Sequence, residues 1–583
     1  MAIIGIDLGT TNSLAAVWRA GKGVLIPNSL GKYTTPSVVS VDDEGNIITG
    51  ETAKQRLISH PDRTASLFKQ FMGSEKSYTI GGINFKPEDL SAMVLRALKN
   101  DAEAYLGEEV TEAIVSVPAY FNDAQRSATK AAGQLAGLKV ERILNEPSAA
   151  ALAYRQLNVR DGTNLVFDFG GGTLDISVLE AFDNIVDILA VSGDNHLGGS
   201  DIDALIMAEF LHEHPKLNGK LSKQQRGIIL KNAEACKITL SDKQQVFMVY
   251  RHEEQEYSMM LDSQKLMQIC SPILVKFKDL IKRALQNAGL NLPMIDNVIL
   301  IGGSCRMPLV REYLKHLTQK PVLSDIDPDF AVVVGVGVAA GIKERDKDIR
   351  DMVLTDICPF SLGIETKMGS KAGMFDAIIP RNTSLPASRI HSYTTVDDYQ
   401  TFVKIKIYQG ESLEAAKNLF LGECEVTVPA LPVGKSQVIV RFTYDINGIL
   451  DVEVHCLQSG STVQKLIVGN ERLSISEIDR RISELNKLKT PLRDNDENNL
   501  IIARGQRLYE EFNGAIQAEI MARLIEFESA LEGGKNPARI AMIRTKIDDY
   551  FDRLDTYSEN MLFYGEAKDV FYEEPDEQED YTP

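Results

Sequence analysis

The chain has 583 residues, longer than one compact core supports, so two to four domains are expected. Hydrophobic residues at 44% and charged residues at 25% are ordinary for a globular protein and exclude disorder over most of the length. A formal net charge of −19 weighs against nonspecific nucleic-acid binding and against an anionic membrane surface, because both need a basic face.

Residues 1–345 alternate short apolar runs with longer helical stretches, the pattern of a βα-rich fold. Strands are predicted at 3–6, 113–117, 165–167 and 298–301, and a helix over 123–136. Residues 343–350 are densely charged and give way to Met352-Val353-Leu354, a surface helix end followed by a short apolar linker. Over 357–468 the pattern changes to short β-rich runs at 402–408, 424–428, 437–442 and 450–456. Asn447-Gly448 between two of them is a hairpin signal, and no helix-length stretch intervenes, so a separate antiparallel β domain is expected. From Ser474 the period becomes helical. Ser474-x-x-Glu477 is a capping box, and Ile475, Ile478, Ile482, Leu485 and Leu488 follow at helical spacing. Pro491 interrupts; helix resumes over 498–531 and from 537 to about 563. Residues 565–583, eight acids against one lysine, are read as a disordered tail.

Six cysteines, at 236, 270, 305, 358, 424 and 456, come no closer than 32 residues, so no paired-cysteine zinc or redox motif exists and a reducing cytosol is expected. The longest nearly unbroken apolar run, 331–342, is twelve residues against the roughly 20 of a membrane span. The N-terminus opens directly into a strand pattern without a basic leader, so no signal peptide is read and the protein is expected to be soluble and cytoplasmic.

The most informative feature is an internal repeat. Ile3-Ile-Gly-Ile-Asp7-Leu-Gly9-Thr10-Thr11-Asn12-Ser13 is a strand, an aspartate, a glycine turn and small hydroxyl residues. Leu165-Val-Phe-Asp168-Phe-Gly170-Gly171-Gly172-Thr173-Leu-Asp175-Ile-Ser177 repeats that order. Glycines let backbone N–H groups cradle an anion, threonine hydroxyls add donors, and an aspartate at each strand end suits a hydrated Mg²⁺. Two such hairpins facing each other would clamp a triphosphate; an ordinary tight hairpin is the alternative for either copy alone. A third glycine turn, Gly302-Gly303-Ser304, joins a strand to a helix-like stretch, the geometry of a phosphate or nucleoside site. Competing motifs fail. There is no P-loop, and Gly335-Val-Gly337-Val-Ala-Ala-Gly341 has one residue too many for a dinucleotide fingerprint and reads as a small-residue core helix. His212-x-His214 lacks a third ligand at a recognised spacing and reads as a surface turn.

Gly5-Ile-Asp-Leu-Gly-Thr-Thr-Asn-Ser13, Asn145-Glu-Pro-Ser-Ala-Ala-Ala151, Asp168-Phe-Gly-Gly-Gly-Thr-Leu-Asp175, Gly193-Asp-Asn-His-Leu-Gly-Gly199, Ile301-Gly-Gly-Ser-Cys-Arg-Met-Pro308 and Pro359-Phe-Ser-Leu-Gly-Ile-Glu-Thr366 resemble the heat-shock chaperone family of the DnaK type. The resemblance runs in order to about residue 468, then more weakly into the helical segment; residues 349–364 are similar to its HscC branch. It implies an α/β plus all-β plus all-α protein. The parts are an actin-like two-lobed ATPase domain over 1–347, a linker at 348–356, a β-sandwich peptide-binding domain over 357–470, a helical lid over 471–563 and an acidic tail at 564–583.

It also implies ATP-driven binding and release of extended apolar segments of unfolded polypeptides, with ATP/ADP and Mg²⁺ bound, a J-domain co-chaperone and a nucleotide exchange factor as partners, and no nucleic acid or membrane. Carried over by motif, Gly9, Thr10, Thr11, Asn12, Gly170, Gly171, Gly172 and Thr173 would hold phosphates, with Gly199, Gly302, Gly303 and Ser304 beside them. Asp7, Asp168 and Asp175 would face the metal. Lys69, Glu146, Asp168 and Thr173 would serve catalysis; read alone, Lys69 is a surface lysine and Glu146 a helix cap. Glu234, Lys237, Ser241, Arg306 and Asp329 would surround adenosine; Arg306 alone could equally be solvated. Ile364, Tyr393, Val396, Val403 and Ile405 match peptide-groove positions, with sandwich core as the alternative. Pro118, Arg126 and Asp356 match coupling positions. Thr355 puts a hydroxyl where the linker is usually apolar, which predicts weaker docking, and Gln70 stands where a basic residue is common. A sugar-type kinase or a filament former on the same core would leave the residues after 357 without a role.

Overall fold

The computed structural model describes residues 2–156, 161–182, 185–217, 219, 221–252, 255–323, 326–346, 349, 352–368, 371–446, 448–468, 496–512, 515–532 and 537–564. The capping box at Ser474 with its periodic residues to Leu488, Pro491, Asn447 and the tail at 565–583 lie outside them.

The first half opens with β1 (Ala2–Asp7), β2 (Asn12–Arg19) and β3 (Lys22–Ile26), then α1 (Pro87–Leu106), β4 (Val110–Val117), α2 (Asp123–Leu135), β5 (Lys139–Asn145) and α3 (Glu146–Gln156). The second half runs β6 (Gly162–Phe169), β7 (Leu174–Phe182), β8 (Ile185–Asp194), α4 (Gly199–Glu213), α5 (Lys223–Thr239), β9 (Gln245–His252), β10 (Gln255–Asp262), α6 (Ser263–Ala288), β11 (Asn297–Ile301), α7 (Pro308–Thr318), β12 (Val322–Leu323), α8 (Ala331–Lys343) and β13 (Val353–Thr355). The duplication read from the glycine turns is a duplication of sheets. The first has strand order β5-β4-β1-β2-β3, and the second has β12-β11-β6-β7-β8, extended by β13. In each, the first hairpin strand pairs antiparallel with its successor and parallel with a later strand. Apolar runs with little alternation, such as Ile4 and Ile6 or Leu165 to Phe167, mark strands covered on both faces.

The glycine-rich segment predicted to be a core helix is α8, which packs on β1, β2, β3 and α3. Its small residues let backbones touch. A Cβ on Gly335 would fall 1.7 Å from the Ala149 carbonyl oxygen, one on Gly341 2.4 Å from Trp18 Cγ, and one on Gly5 2.5 Å from the Val336 carbonyl carbon.

Strands β14 (Leu362–Met368), β15 (Lys371–Ile379), β16 (Ala387–Thr394), β17 (Phe402–Gln409), β18 (Leu419–Thr427), β19 (Gln437–Tyr444), β20 (Ile449–Cys456) and β21 (Thr462–Val468) form two sheets, β15-β14-β17-β18 and β16-β19-β20-β21. Alternate residues of β19 and β20 face inward, so Val440, Phe442, Val452 and Val454 meet Ile364, Ile407 and Val426 in one core. Helices α9 (Asp496–Glu511), α10 (Ala515–Glu532) and α11 (Pro537–Tyr564) follow. The sequence pattern predicts helix over 498–531; two helices, α9 and α10, share that span, with Phe512 outside both.

The chain forms two compact units. One comprises Met1–Lys54, Asp62–Gly199 and Ile273–Pro491; the other Gln55–Pro61, Ser200–Pro272 and Leu492–Pro583. In the second, α11 packs on β9 and α5, and the helices close on Ile501, Leu508, Leu524, Phe527, Phe551 and Leu554. No helix among the described residues is long and apolar enough to cross a membrane.

Gly335→Val is expected to lower stability by about 3 kcal/mol, because neither α3 nor α8 can retreat to admit the side chain. Urea unfolding midpoints of the two proteins measure it, and an unchanged midpoint contradicts the packing.

Candidate nucleotide site and interdomain junction

The two glycine turns stack loop to loop. A Cβ on Gly171 would lie 2.2 Å from Thr11 Cγ2, and one on Gly172 would lie 2.5 Å from Thr10 Cγ2. The first turn is tied down by Ser37, whose hydroxyl donates to the Gly9 carbonyl at 2.7 Å and whose N–H donates to the Thr11 carbonyl at 2.8 Å. The second is closed by Gly170 N–H to the Thr173 carbonyl at 3.1 Å. Its Gly170 carbonyl accepts from Gly199 N–H at 3.0 Å and from the Ser304 hydroxyl at 2.8 Å. Gly302, at φ 81, brings the third turn onto the Phe169 carbonyl, where only glycine fits; a short 3₁₀ turn, Gly303–Arg306, precedes α7. The motif residues Gly9 to Asn12, Gly170 to Thr173, Gly199 and Gly302 to Ser304 are thus gathered at one place, with the Gly170 and Gly199 N–H groups and the Ser304 hydroxyl spent on closing the turns.

Lys69 is no surface lysine. It sits on the 3₁₀ turn Phe68–Phe71 behind Leu67, which is in the left-handed region at φ 56. It is 3% exposed, and its Nζ lies 2.8 Å from Glu146 Oε1. Its neighbour Gln70 donates through Nε2 to the Gly172 carbonyl at 2.9 Å, a role a basic side chain would fill less neutrally. Glu146 is buried at the start of α3, so its role is to hold Lys69 rather than to cap a helix in solvent.

Around this pair stand buried acids. Asp7 accepts from the Ser116 hydroxyl at 2.7 Å, Asp175 from the Tyr120 N–H at 3.0 Å, and Asp168 is the register partner of Asp175. Burial, reinforced by Glu146, pushes Asp7 up to about 6 and Asp175 up to about 8, and Asp168 well above the usual carboxylate range. Asp168 Oδ2 and Asp175 Oδ2 are buried without a hydrogen-bond partner. One buried ammonium therefore faces several carboxylates, two with orphaned oxygens, which is the donor set of a divalent cation site. Among the described residues no three acidic, His or Cys side chains converge closely enough to chelate an ion directly, so these acids fit a metal held through its water shell.

The expected adenosine residues fall in both units. Arg306 Nη2 reaches Asp327 at 2.5 and 2.6 Å and Asp329 at 2.8 Å, so it is an ion-paired, half-exposed guanidinium rather than a free one. In the other unit Glu234 and Lys237 lie on α5, with Ser241 just past its end; Lys237 is buried against Asp203 at 2.7 Å.

The linker is a strand. Val353, Leu354 and Thr355 pair parallel with Ile185, Val186 and Asp187 at the edge of the second sheet. Met352 and Leu354 pack into the core beside Val186 and Ile188, while Val353 stays 52% exposed. Thr355 alternates onto the same strand face as Val353 but is half-buried. Asp356 then accepts from Asn145 Nδ2 at both oxygens, 2.8 and 2.7 Å, and from the Ser148 hydroxyl at 3.2 Å. Asn145 Oδ1 accepts from Arg126 Nη2 at 2.6 Å, and Arg126 also holds the Ala119 and Phe121 carbonyls of the turn that begins at buried Pro118. The sandwich meets this junction through Gln409, which accepts from the Asp123 N–H at 2.8 Å, and through Phe360 against Tyr120, ring centroids 4.6 Å apart.

The groove candidates separate. Ile364 and Ile405 are core residues, 2% and 3% exposed, and offer no surface here. Val403 and Tyr393 are at the core margin, Tyr393 donating to Asp376 at 2.6 Å, and Val396 is exposed. Sequence reading assigned no role to Asn145, Ser148, Ser116 or Tyr120. Asn145 and Ser148 stand inside a quoted motif, but their partner is 211 and 208 residues away.

Two duplicated sheets with stacked anion-binding turns over a buried acidic floor, followed by a sandwich and helices, define a two-lobed actin-like ATPase with a peptide-binding sandwich and a helical lid. The family model described as Hsp70 protein matches residues 3–526. Proteins named chaperone protein DnaK from Thermotoga petrophila, Thermotoga sp. strain RQ2 and Thermotoga maritima are each 38% identical over 582 residues, covering 96% of this chain and 94% of the relative. The chain belongs to the Hsp70 family. Like that family, it is an ATP-hydrolysing chaperone that binds client polypeptide.

Gly172→Ala is expected to cut ATP affinity on the order of tenfold, the value of one charge-assisted hydrogen bond, since the loops must part. The clashing atoms are side-chain tips, so stability should change by less than about 1 kcal/mol. Calorimetric titration with ATP, beside an unfolding curve, separates the two.

Proposed function

We propose that this chain is a Mg²⁺-dependent, cytoplasmic chaperone in which ATP, bound between the stacked turns, favours the arrangement with the linker paired to β8. The observation that supports it is the continuity from Lys69 through Glu146 and the adjacent Asn145 to Asp356 of the linker.

The chemistry asks for positioning and charge. Backbone N–H groups of Gly9 to Thr11 and Gly171 to Thr173, with the hydroxyls of Thr10, Thr11 and Thr173, hold the β- and γ-phosphates. The metal, when bound, neutralises phosphate charge. Asp7, Asp168 and Asp175 would hold it through its water shell. Lys69 places its ammonium against the γ-phosphate and orients the attacking water, whose oxygen bonds to phosphorus as the bond to the β-phosphate oxygen breaks. Glu146 holds Lys69 until the γ-phosphate competes for it. Because Glu146 starts α3 and Asn145 ends β5, a change in what Lys69 touches is felt at Asp356. A ligand shifts such an equilibrium only by its differential affinity for the two arrangements.

Arg306 and Asp329, with Glu234, Lys237 and Ser241, are proposed to bound the adenosine. Val396, Tyr393 and Val403 are the proposed peptide contacts; Ile364 and Ile405 would join them only if the sandwich repacks. A J-domain protein and an exchange factor are proposed partners.

Lys69→Ala should reduce turnover at least a hundredfold while ATP binding stays within a few-fold, because the lysine acts on transition-state charge. Single-turnover hydrolysis at the wild-type rate removes Lys69 from the mechanism.

Asp356→Asn replaces an acceptor pair with a side chain that competes with the Asn145 and Ser148 donors. Fluorescent-peptide dissociation from the variant should lose most of its acceleration by ATP, with nucleotide affinity little changed. If ATP leaves peptide dissociation unchanged in the wild-type chain, ATPase and peptide binding are uncoupled.

A further inference from the structure

Helix α5, which carries Glu234 and Lys237, is held at two places. Lys237 is paired with Asp203 at 2.7 Å. Lys231, six positions earlier and one turn from Glu234, reaches Glu511 at the end of α9 with Nζ 2.6 Å from Oε1. Glu511 is itself gripped by Arg507, whose Nη1 lies 2.9 Å from both of its oxygens. Arg507, 5% exposed, also donates through Nη2 to Asp555 on α11 at 2.7 and 3.0 Å and through Nε to Gln55 Oε1 at 2.5 Å. Arg504, one turn before, reaches Asp552 and Asp555 at 2.8 Å each. Two cations, Lys231 and Arg507, thus meet two anions, Glu511 and Asp555, in a cluster whose centre, Arg507 and Glu511, is buried while Lys231 and Asp555 stay partly exposed.

Such a cluster is an inefficient way to gain stability, since apolar residues of equal volume serve as well or better. What it supplies is position. Each charge is costly to leave alone, so α5 can take only the axial and rotational setting that puts Lys231 against Glu511. Gly227 fits the same arrangement: a Cβ there would lie 3.7 Å from Ile58 Cγ1, so the start of α5 sits close against the segment that carries Gln55. Asn232 fixes the other flank, donating to the Val249 carbonyl of β9 at 3.1 Å.

We propose that helices α9 to α11 are an intramolecular brace for α5, and that Lys231, Glu511 and Arg507 are positioning residues for nucleotide retention. The proposal rests on the reading of Glu234, Lys237 and Ser241 as adenosine contacts. It gives the C-terminal helices a second use besides covering a peptide. Lifting them releases α5, so their position and nucleotide residence are coupled directly, without passing through the linker.

The test uses the full chain loaded with a fluorescent ADP and chased with excess ATP. Lys231→Met keeps the aliphatic stem and removes the charge. It should speed nucleotide dissociation about tenfold, the value of a lost charge-assisted hydrogen bond. Lys231→Arg should restore a rate within about two- to threefold of wild type, and Glu511→Gln should resemble Lys231→Met. The double variant should be no faster than either single one, since both break the same contact. Single-turnover hydrolysis of ATP already bound should keep its wild-type rate in Lys231→Met, because Lys69 and the glycine turns are untouched. Should Glu511→Gln unfold the helices, Lys231→Met, which alters α5 alone, decides. Wild-type dissociation from Lys231→Met overturns the brace, as does equal acceleration by Lys231→Arg. A wild-type chain that binds no fluorescent ADP refutes the nucleotide-site reading, and the brace with it.

Discussion

The peptide joining β5 to α3 puts two neighbouring side chains into two different contacts. Glu146 takes the Lys69 ammonium at 2.8 Å in a buried ion pair, and Asn145 takes both carboxylate oxygens of Asp356. Asn145 ends β5 and Glu146 begins α3, so the buried ion pair and the Asp356 contact hang on consecutive residues of one stretch of backbone. The same α3 is locked to α8 by the Gly335–Ala149 backbone contact, so the junction is anchored to the first sheet rather than floating at the surface.

The charge distribution gives this junction its direction. The acids at 7, 168 and 175 are buried around one ammonium, and burial with repulsion from Glu146 raises all three. Two of their oxygens lack any donor. The Lys69 ammonium, already paired with Glu146, does not balance these acids, so the floor suits a cation that arrives with a ligand.

Strand β13 shows the same economy. An apolar segment flanked by charge reads in the sequence as a linker, and as an isolated strand it would be unstable. The edge of β8 offers it unpaired backbone groups, and Met352 and Leu354 add buried area. In contrast to that edge pairing, the helices after residue 496 are fixed to α5 by charge, through Lys231, Glu511 and Arg507. Apolar docking on one side and ion pairing on the other respond to different perturbations.

The sequence by itself determined the repeat, the strand–turn–strand geometry of both phosphate hairpins, the small-residue helix α8 and the change to an antiparallel sandwich after residue 357. Those follow from local chemistry: glycine where the backbone must close up, period-two alternation where a strand has one buried face, and hydroxyls beside glycines where an anion is to be held. Only the tertiary structure decided that Lys69 is buried, that Ile364 and Ile405 are core, and that Asn145 and Lys231 have partners 211 and 280 residues away. Local pattern carries no information about which distant element will cover a side chain. A lysine at the surface and a lysine held by a buried glutamate have the same neighbours in the chain, and differ only in what the fold brings to them.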